Sequence, residues 1–152
     1  MDGQFDTKLI DGKRGEYLVA AALSKKGHTI TDLTDDLEAQ LNDIDFALSR
    51  NGQSTTLEVK NDMKSETTGN IFVEYYNQNN ITRNYDGWYY YTKAEYICFV
   101  QENKHRAHIV SFDDLKKHIK NDYYNVGGWA RKGYLVPISA LKLYKSYYEL
   151  EV

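Results

Sequence analysis

Two periods of hydrophobic and polar positions run along this chain, and each change of period marks an element. Over residues 13–26, within GKRGEYLVAAALSKKG, alanine and leucine recur at helical spacing, and Gly27 is placed as the C-terminal stop of a helix. Residues 28–33 alternate in threonine and isoleucine and predict a short strand, followed by an acidic loop through Asp35, Asp36 and Glu38. Residues 44–49 (IDFALS) and 55–60 (TTLEVK) flank Arg50-Asn51-Gly52-Gln53, and Asn-Gly between alternating runs is a strong hairpin signal. Residues 70–76 predict a third strand, and residues 77–88 are polar and loop-like. Residues 96–101 and 106–110 predict a second hairpin around Glu102-Asn103-Lys104-His105. Ser111 is placed to cap a helix with acids in its first turn (Asp113, Asp114) and Lys116, Lys117, His118 and Lys120 further along, an order that suits the helix dipole. After Gly127-Gly128, residues 133–138 predict a strand and Ser139 the cap of a short C-terminal helix. With no linker composition and no repeat, this order predicts one mixed α/β (α+β) domain over residues 1–152: an N-terminal helix, a central mixed sheet with several antiparallel strands and a hairpin carrying the candidate site, a flanking helix and a C-terminal strand.

Composition narrows the picture. A chain of 152 residues can bury a real core, and 41% hydrophobic with 27% charged residues are globular values. Cys98 is the single cysteine and lies in an apolar run, which predicts a buried, inert thiol and no internal disulfide. The N-terminus has no apolar signal core and nowhere do about 18 apolar residues run together, so the expectation is a soluble, cytoplasmic protein without a membrane partner. The net charge of −3 removes a strongly basic chain as the route to nucleic acid. Its distribution reopens that route. Residues 1–76 hold 8 bases and 14 acids, and residues 77–152 hold 11 and 8.

The candidate chemistry lies between Asp43 and Lys60. Glu58 and Lys60 are two apart on a predicted strand, hence on one face and about 7 Å apart. Pairing through the Asn-Gly turn brings Asp45 to the Glu58 end, because both lie at the turn-distal ends of their strands. Carboxylate oxygens suit Mg²⁺ or Mn²⁺, and a neighbouring lysine can orient or deprotonate water or steady developing phosphorane charge. The plain alternative is a cross-strand ion pair on a polar face. Asp45, the hairpin between, and apolar Leu57 and Val59 framing Glu58 weigh toward function.

Asp45-Phe46-Ala47-Leu48 and Leu57-Glu58-Val59-Lys60, with Gly12-Lys13-Arg14-Gly15-Glu16 opening the first helix, resemble the PD-(D/E)XK nuclease superfamily and its restriction-endonuclease-like fold. Thr68-Gly69-Asn70-Ile71-Phe72-Val73-Glu74 and Tyr91-Thr92-Lys93-Ala94-Glu95 are similar to small phage-type nucleases and Holliday junction resolvase-like members; the likeness covers roughly residues 12–100. The resemblance implies metal-dependent hydrolysis of DNA phosphodiester bonds. Asp45 and Glu58 would bind Mg²⁺ (Mn²⁺ substituting), the Val59 backbone carbonyl would add a ligand, Lys60 would position water and Glu16 would assist. It departs from the family in having no proline before the acidic residue, which leaves the ligand between Asp43 and Asp45. Asp45 is preferred because the strand continues directly after it. Asp62-Met63-Lys64 is a competing motif without an apolar strand leading in.

Lys13, Arg14 and Arg83 are the expected DNA-backbone contacts. Lys116, Lys117, Lys120, Arg131, Lys132, Lys142 and Lys145, interleaved with Tyr123, Tyr124, Trp129, Tyr134 and Tyr144, suit phosphate grip and base stacking, though each alone reads as a solvated face or a core aromatic. Trp88-Tyr89-Tyr90-Tyr91 reads as a stacking wedge, core or dimer face; Glu74 as an edge glutamate or an addition to the metal face; and His105/His108 as structural or solvent-facing. The expectation is a homodimeric Mg²⁺-dependent endonuclease, structure-specific because so short a chain has little room for a sequence-reading domain. The alternatives are a silent DNA-binding or assembly module of the same fold, and an unrelated α+β interaction protein.

Overall fold

A computed structural model describes residues 3–121 and 124–152, except the side chains of residues 3–12, 121 and 124. The first helix, α1 (Gly3–Lys25), starts well before the region of clear amphipathic period and ends at Gly27, which has positive φ. Three antiparallel strands follow: β1 (Thr29–Asp32), β2 (Phe46–Arg50) and β3 (Gln53–Asn61), with the short helix α2 (Leu37–Leu41) between the first two. Asn51 and Gly52 both take left-handed φ, 52° and 76°, which matches the twist of the flanking strands and fixes the register Phe46↔Leu57.

From β3 the chain crosses over through α3 (Ser65–Thr68), β4 (Asn70–Asn77), a 3₁₀ turn at Ile81–Arg83 and α4 (Trp88–Tyr91). It returns as β5 (Tyr96–Gln101), parallel to β3. This one parallel pair among antiparallel neighbours makes the sheet mixed, as the fold-class expectation has it. β5 pairs antiparallel with β6 (Arg106–Ser111), as the second predicted hairpin requires, and α5 (Phe112–Asn121) begins where Ser111 Oγ accepts the Asp114 amide at 3.1 Å. The remaining elements are β7 (Tyr124–Gly127), β8 (Arg131–Pro137), α6 (Ile138–Leu141) and β9 (Tyr148–Glu151). Ser139 lies inside α6, whose preceding residue is Pro137, so the predicted serine cap is corrected. β7 and β9 were not anticipated from the sequence.

Among the described residues the strands form a six-stranded mixed sheet, β1-β2-β3-β5-β6-β9, and a separate three-stranded sheet, β4-β8-β7. β5 is buried on both faces, which is why YICFV reads as a continuous apolar run. Cys98 and Val100 join Val19 and Leu23 of α1, with Phe46, Leu48, Leu57 and Val59, in one core. Ile97 and Phe99 join the second sheet and α5 through Ile71, Val73, Val136, Leu115 and Ile119 in another. The main sheet thus lies between α1 and a layer made of the small sheet and α5. Gly87 enters α4 so close to β4 that any Cβ there would run into the Glu74 carbonyl oxygen. That approach seats Trp88 in the core, with ring centroids 6.1 Å from Phe99 and 6.3 Å from Phe112. No described helix is long and apolar enough to cross a membrane.

Candidate active site

Strand alternation sends Leu57 and Val59 into the core beneath α1 and turns Glu58 and Lys60 to the opposite face. Asp45 stands just before β2. Its amide donates to the Leu57 carbonyl at 3.0 Å, and its Oδ2 accepts the Val59 amide at 2.9 Å, so the residue brackets Glu58. Val59 therefore serves the site through its backbone, with its side chain in the core. Asp45 and Glu58 are only 4% and 6% exposed, unusually little for carboxyl groups.

Lys60 Nζ lies 3.0 Å from Glu58 Oε1 and 3.1 Å from Asp43 Oδ2, and 5.2 Å from the centroid of the Trp88 ring. Asp43 occupies a left-handed position (φ 54°) in the turn before β2, which directs it at the lysine; its carbonyl accepts the Thr92 hydroxyl at 3.1 Å. The choice between Asp43 and Asp45 thus resolves into two separate positions: Asp45 beside the β3 backbone and Asp43 on the ammonium.

Four carboxyl groups share one ammonium. Burial, followed by the Asp45 and Asp32 carboxylates, lifts Glu16 to about 7, while Lys13 and Lys60 oppose the rise. Burial also raises Asp45, against the Val59 amide, a hydrogen bond from Glu58 and the charge of Lys60. Glu58 is driven far above the carboxylate range by burial; Lys60 opposes this, and Asp43 and Asp45 reinforce it. Burial pushes the Lys60 ammonium down, but Asp43 and Glu58 outweigh it and hold the lysine above its ordinary value. Held as a cation in this way, Lys60 suits orienting water or steadying negative charge.

The donor set suits a hard divalent cation: Asp45 and Glu58 offer carboxylate oxygens, and Glu58 Oε2 is buried with no hydrogen-bond partner. The site is short of positive charge, which a Mg²⁺ ion held by Asp45 and Glu58 would correct. Among the described residues no group of three or more His, Cys, Asp or Glu side chains is already arranged around a metal position. Occupancy therefore requires the carboxyl groups to release protons or the grip of Lys60.

The remaining expected residues are less uniform. Lys13 is exposed near Glu16, whereas Arg14 Nε is paired with Glu102 Oε1 at 2.6 Å. Arg83 Nη2 donates to the Leu41 carbonyl at 2.8 Å, and its guanidinium lies 3.8 Å from the centroid of the Tyr91 ring. Glu74 accepts from Asn77 Nδ2 at 3.2 Å and lies 3.7 Å from Arg131 Nε. The competing Asp62 is structural, its carboxylate accepting the Ser65 and Phe72 amides at 3.2 and 2.9 Å. His108 is buried between the Tyr147 hydroxyl (2.7 Å) and Gln101 Oε1 (2.9 Å), and His105 is an exposed turn residue with φ 53°. Cys98 is buried, and its thiol is driven far up by burial. In the basic cluster, Lys116 and Lys117 lie 3.5 and 3.9 Å from Asp113 and Asp114. Tyr123 and the Tyr124 side chain lie outside the described residues. Trp88 and Tyr91 are site neighbours that the sequence reading placed only in a wedge, core or dimer face.

A cleft of about 680 Å³ lies at the turn end of the β2–β3 hairpin, lined by Arg50, Gln53 and Tyr96 among others, and none of Glu16, Asp45, Glu58 and Lys60 borders it. The chemistry sits at the other end of the hairpin, where charge is concentrated, and not in this wider, more apolar space. No protein-family model, curated protein or solved structure matches the chain.

Proposed function

We propose that the chain is a divalent-metal-dependent nuclease of the PD-(D/E)XK type that hydrolyses DNA phosphodiester bonds at the Asp45, Glu58 and Lys60 cluster. The observation that carries this reading is geometric: the Asp43, Asp45 and Glu58 carboxyl groups crowd the Lys60 ammonium, and the buried Glu58 Oε2 has no hydrogen-bond partner. Structural ion pairs normally balance their charges. Sites that hold a cation carry the excess. Asp45 and Glu58 would hold Mg²⁺, which would supply Lewis-acid charge and an acidified water. The chain's own residues do the positioning. The Val59 amide orients Asp45, and Lys60, protonated and braced by Asp43, orients the attacking water or steadies the phosphorane charge. Glu16 adds negative charge from α1 on the Asp45 side. Two copies would be needed to cut both strands of a duplex, which favours a homodimer, and branched DNA is the preferred substrate class.

A second reading, a catalytically silent DNA-binding module of the same fold, is favoured by the lack of a preformed metal group among the described residues. Cleavage separates the two. Purified protein is incubated with linear, single-stranded and four-way-branched DNA in Mg²⁺, Mn²⁺ or chelator, alongside Glu58→Gln and Lys60→Ala. Metal-dependent cuts lost in both variants are expected. No metal-dependent cleavage on any substrate eliminates the enzyme.

A further inference from the structure

The β7–β8 hairpin presents its tip, Gly128-Trp129-Ala130, beside the far end of β4. It is anchored there by the Gln78 amide, which donates to the Ala130 carbonyl at 2.9 Å, and by pairing of Asn77 with Arg131 and Tyr76 with Lys132. Trp129 is nonetheless 79% exposed. One exposed indole alone means little, but its surroundings are specific. Lys132 Nζ stands 5.4 Å from the centroid of the Tyr76 ring, which in turn lies 6.3 Å from the ring of Tyr85, and Tyr85 is 45% exposed. Tyr85 also holds a left-handed backbone, φ 66°, directly after Asn84 at φ 54°. A bulky residue rarely adopts that conformation, and such strain is retained where it displays a side chain for use.

This surface connects to the candidate active site through packed backbone. Tyr76 bridges to Asp86; the next residue, Gly87, abuts the Glu74 carbonyl; and Trp88 then carries the Lys60 ammonium over its ring. We propose that Tyr85, Tyr76 and Trp129, with Lys132 and Arg131, form a stacking platform for unpaired bases of DNA. The inference rests on the nuclease reading for the identity of its polymer. Aromatic faces accept any base, Lys132 meets the phosphates, and Arg131 exchanges Glu74, 3.7 Å away, for a phosphate, so the platform selects unpaired or branched DNA over continuous duplex. A lysine ammonium set over an aromatic face is the pairing that single-stranded nucleic acid recruits, which favours it as the occupant.

Tryptophan emission tests this directly, since the chain has two tryptophans and Trp88 is buried. Wild type is titrated with a single-stranded oligonucleotide, the same sequence as duplex, and a four-way junction, with Ca²⁺ replacing Mg²⁺ to prevent turnover. Single-stranded and junction DNA are expected to quench the emission more than duplex. Trp129→Ala should weaken their binding about tenfold or more, and Trp129→Phe should restore most of it. Unchanged affinity in Trp129→Ala, or no quenching by unpaired DNA, overturns the platform. So does a variant that only loses self-association in sedimentation while binding DNA as before. A wild type that cuts while Trp129→Ala binds normally overturns the platform alone. Binding that depends on Trp129 in a chain that never cuts supports the platform and overturns the nuclease reading.

Discussion

Lys60 is held protonated by Asp43 and Glu58, so its contribution is charge and orientation. On the proposed nuclease function, Lys60→Ala and Glu58→Gln should each lower the cleavage rate by roughly 10² or more, with circular dichroism checking that each variant keeps its fold. Glu16 makes a prediction that needs no substrate. Its folded-state value of about 7, against an ordinary 4.5, means that the native state binds its proton more tightly than the unfolded chain. The stability it contributes is complete below 4.5 and is lost as pH rises through about 7. In chelator, urea midpoints should therefore fall between about pH 5 and about pH 8, and Glu16→Gln should flatten part of that slope.

At the scale of elements, the β2–β3 hairpin is what brings Asp45 to Glu58, and its turn needs both Asn51 and Gly52 in the left-handed region. A Cβ at Gly52 would meet open space, so Gly52→Ala carries only the backbone cost, about 1 kcal/mol by urea denaturation. The turn is at the far end of the strands from the site, so activity should be retained. Leu57 is fully buried beneath α1, and Leu57→Ala should cost about 2–5 kcal/mol. This hairpin was legible in the sequence because its signals are local: an Asn-Gly pair and period-two alternation. Asp43 as the brace of Lys60 was not, because a left-handed turn residue aims its side chain in a direction that strand period does not encode.

At the scale of the whole molecule, the long-range pairings were the illegible part. The parallel pairing of β3 with β5 depends on a crossover through residues 62–95, and no local pattern specifies it. β4 looks like any half-buried strand, yet it leaves the main sheet to pair with β8, whose partner β7 is Gly- and Asn-rich and weak in strand signal. β9 is four residues, defined by its contact with β6 and not by its own period. Charge reads differently at this scale too. The acidic excess of the first half includes Glu16, Asp43, Asp45 and Glu58, while Trp129, Arg131 and Lys132 come from the basic second half. If DNA spans both regions, affinity should fall steeply between roughly 50 and 200 mM salt and fall further in chelator. The proposed nuclease function requires that Asp45 and Glu58 bind a divalent cation. Calorimetric titration of the chain with Mn²⁺ near neutral pH tests it without any substrate. The account predicts saturable binding, with a heat that varies with buffer because protons are released, and its loss in Asp45→Asn and Glu58→Gln; no binding, or binding indifferent to both substitutions, would contradict it.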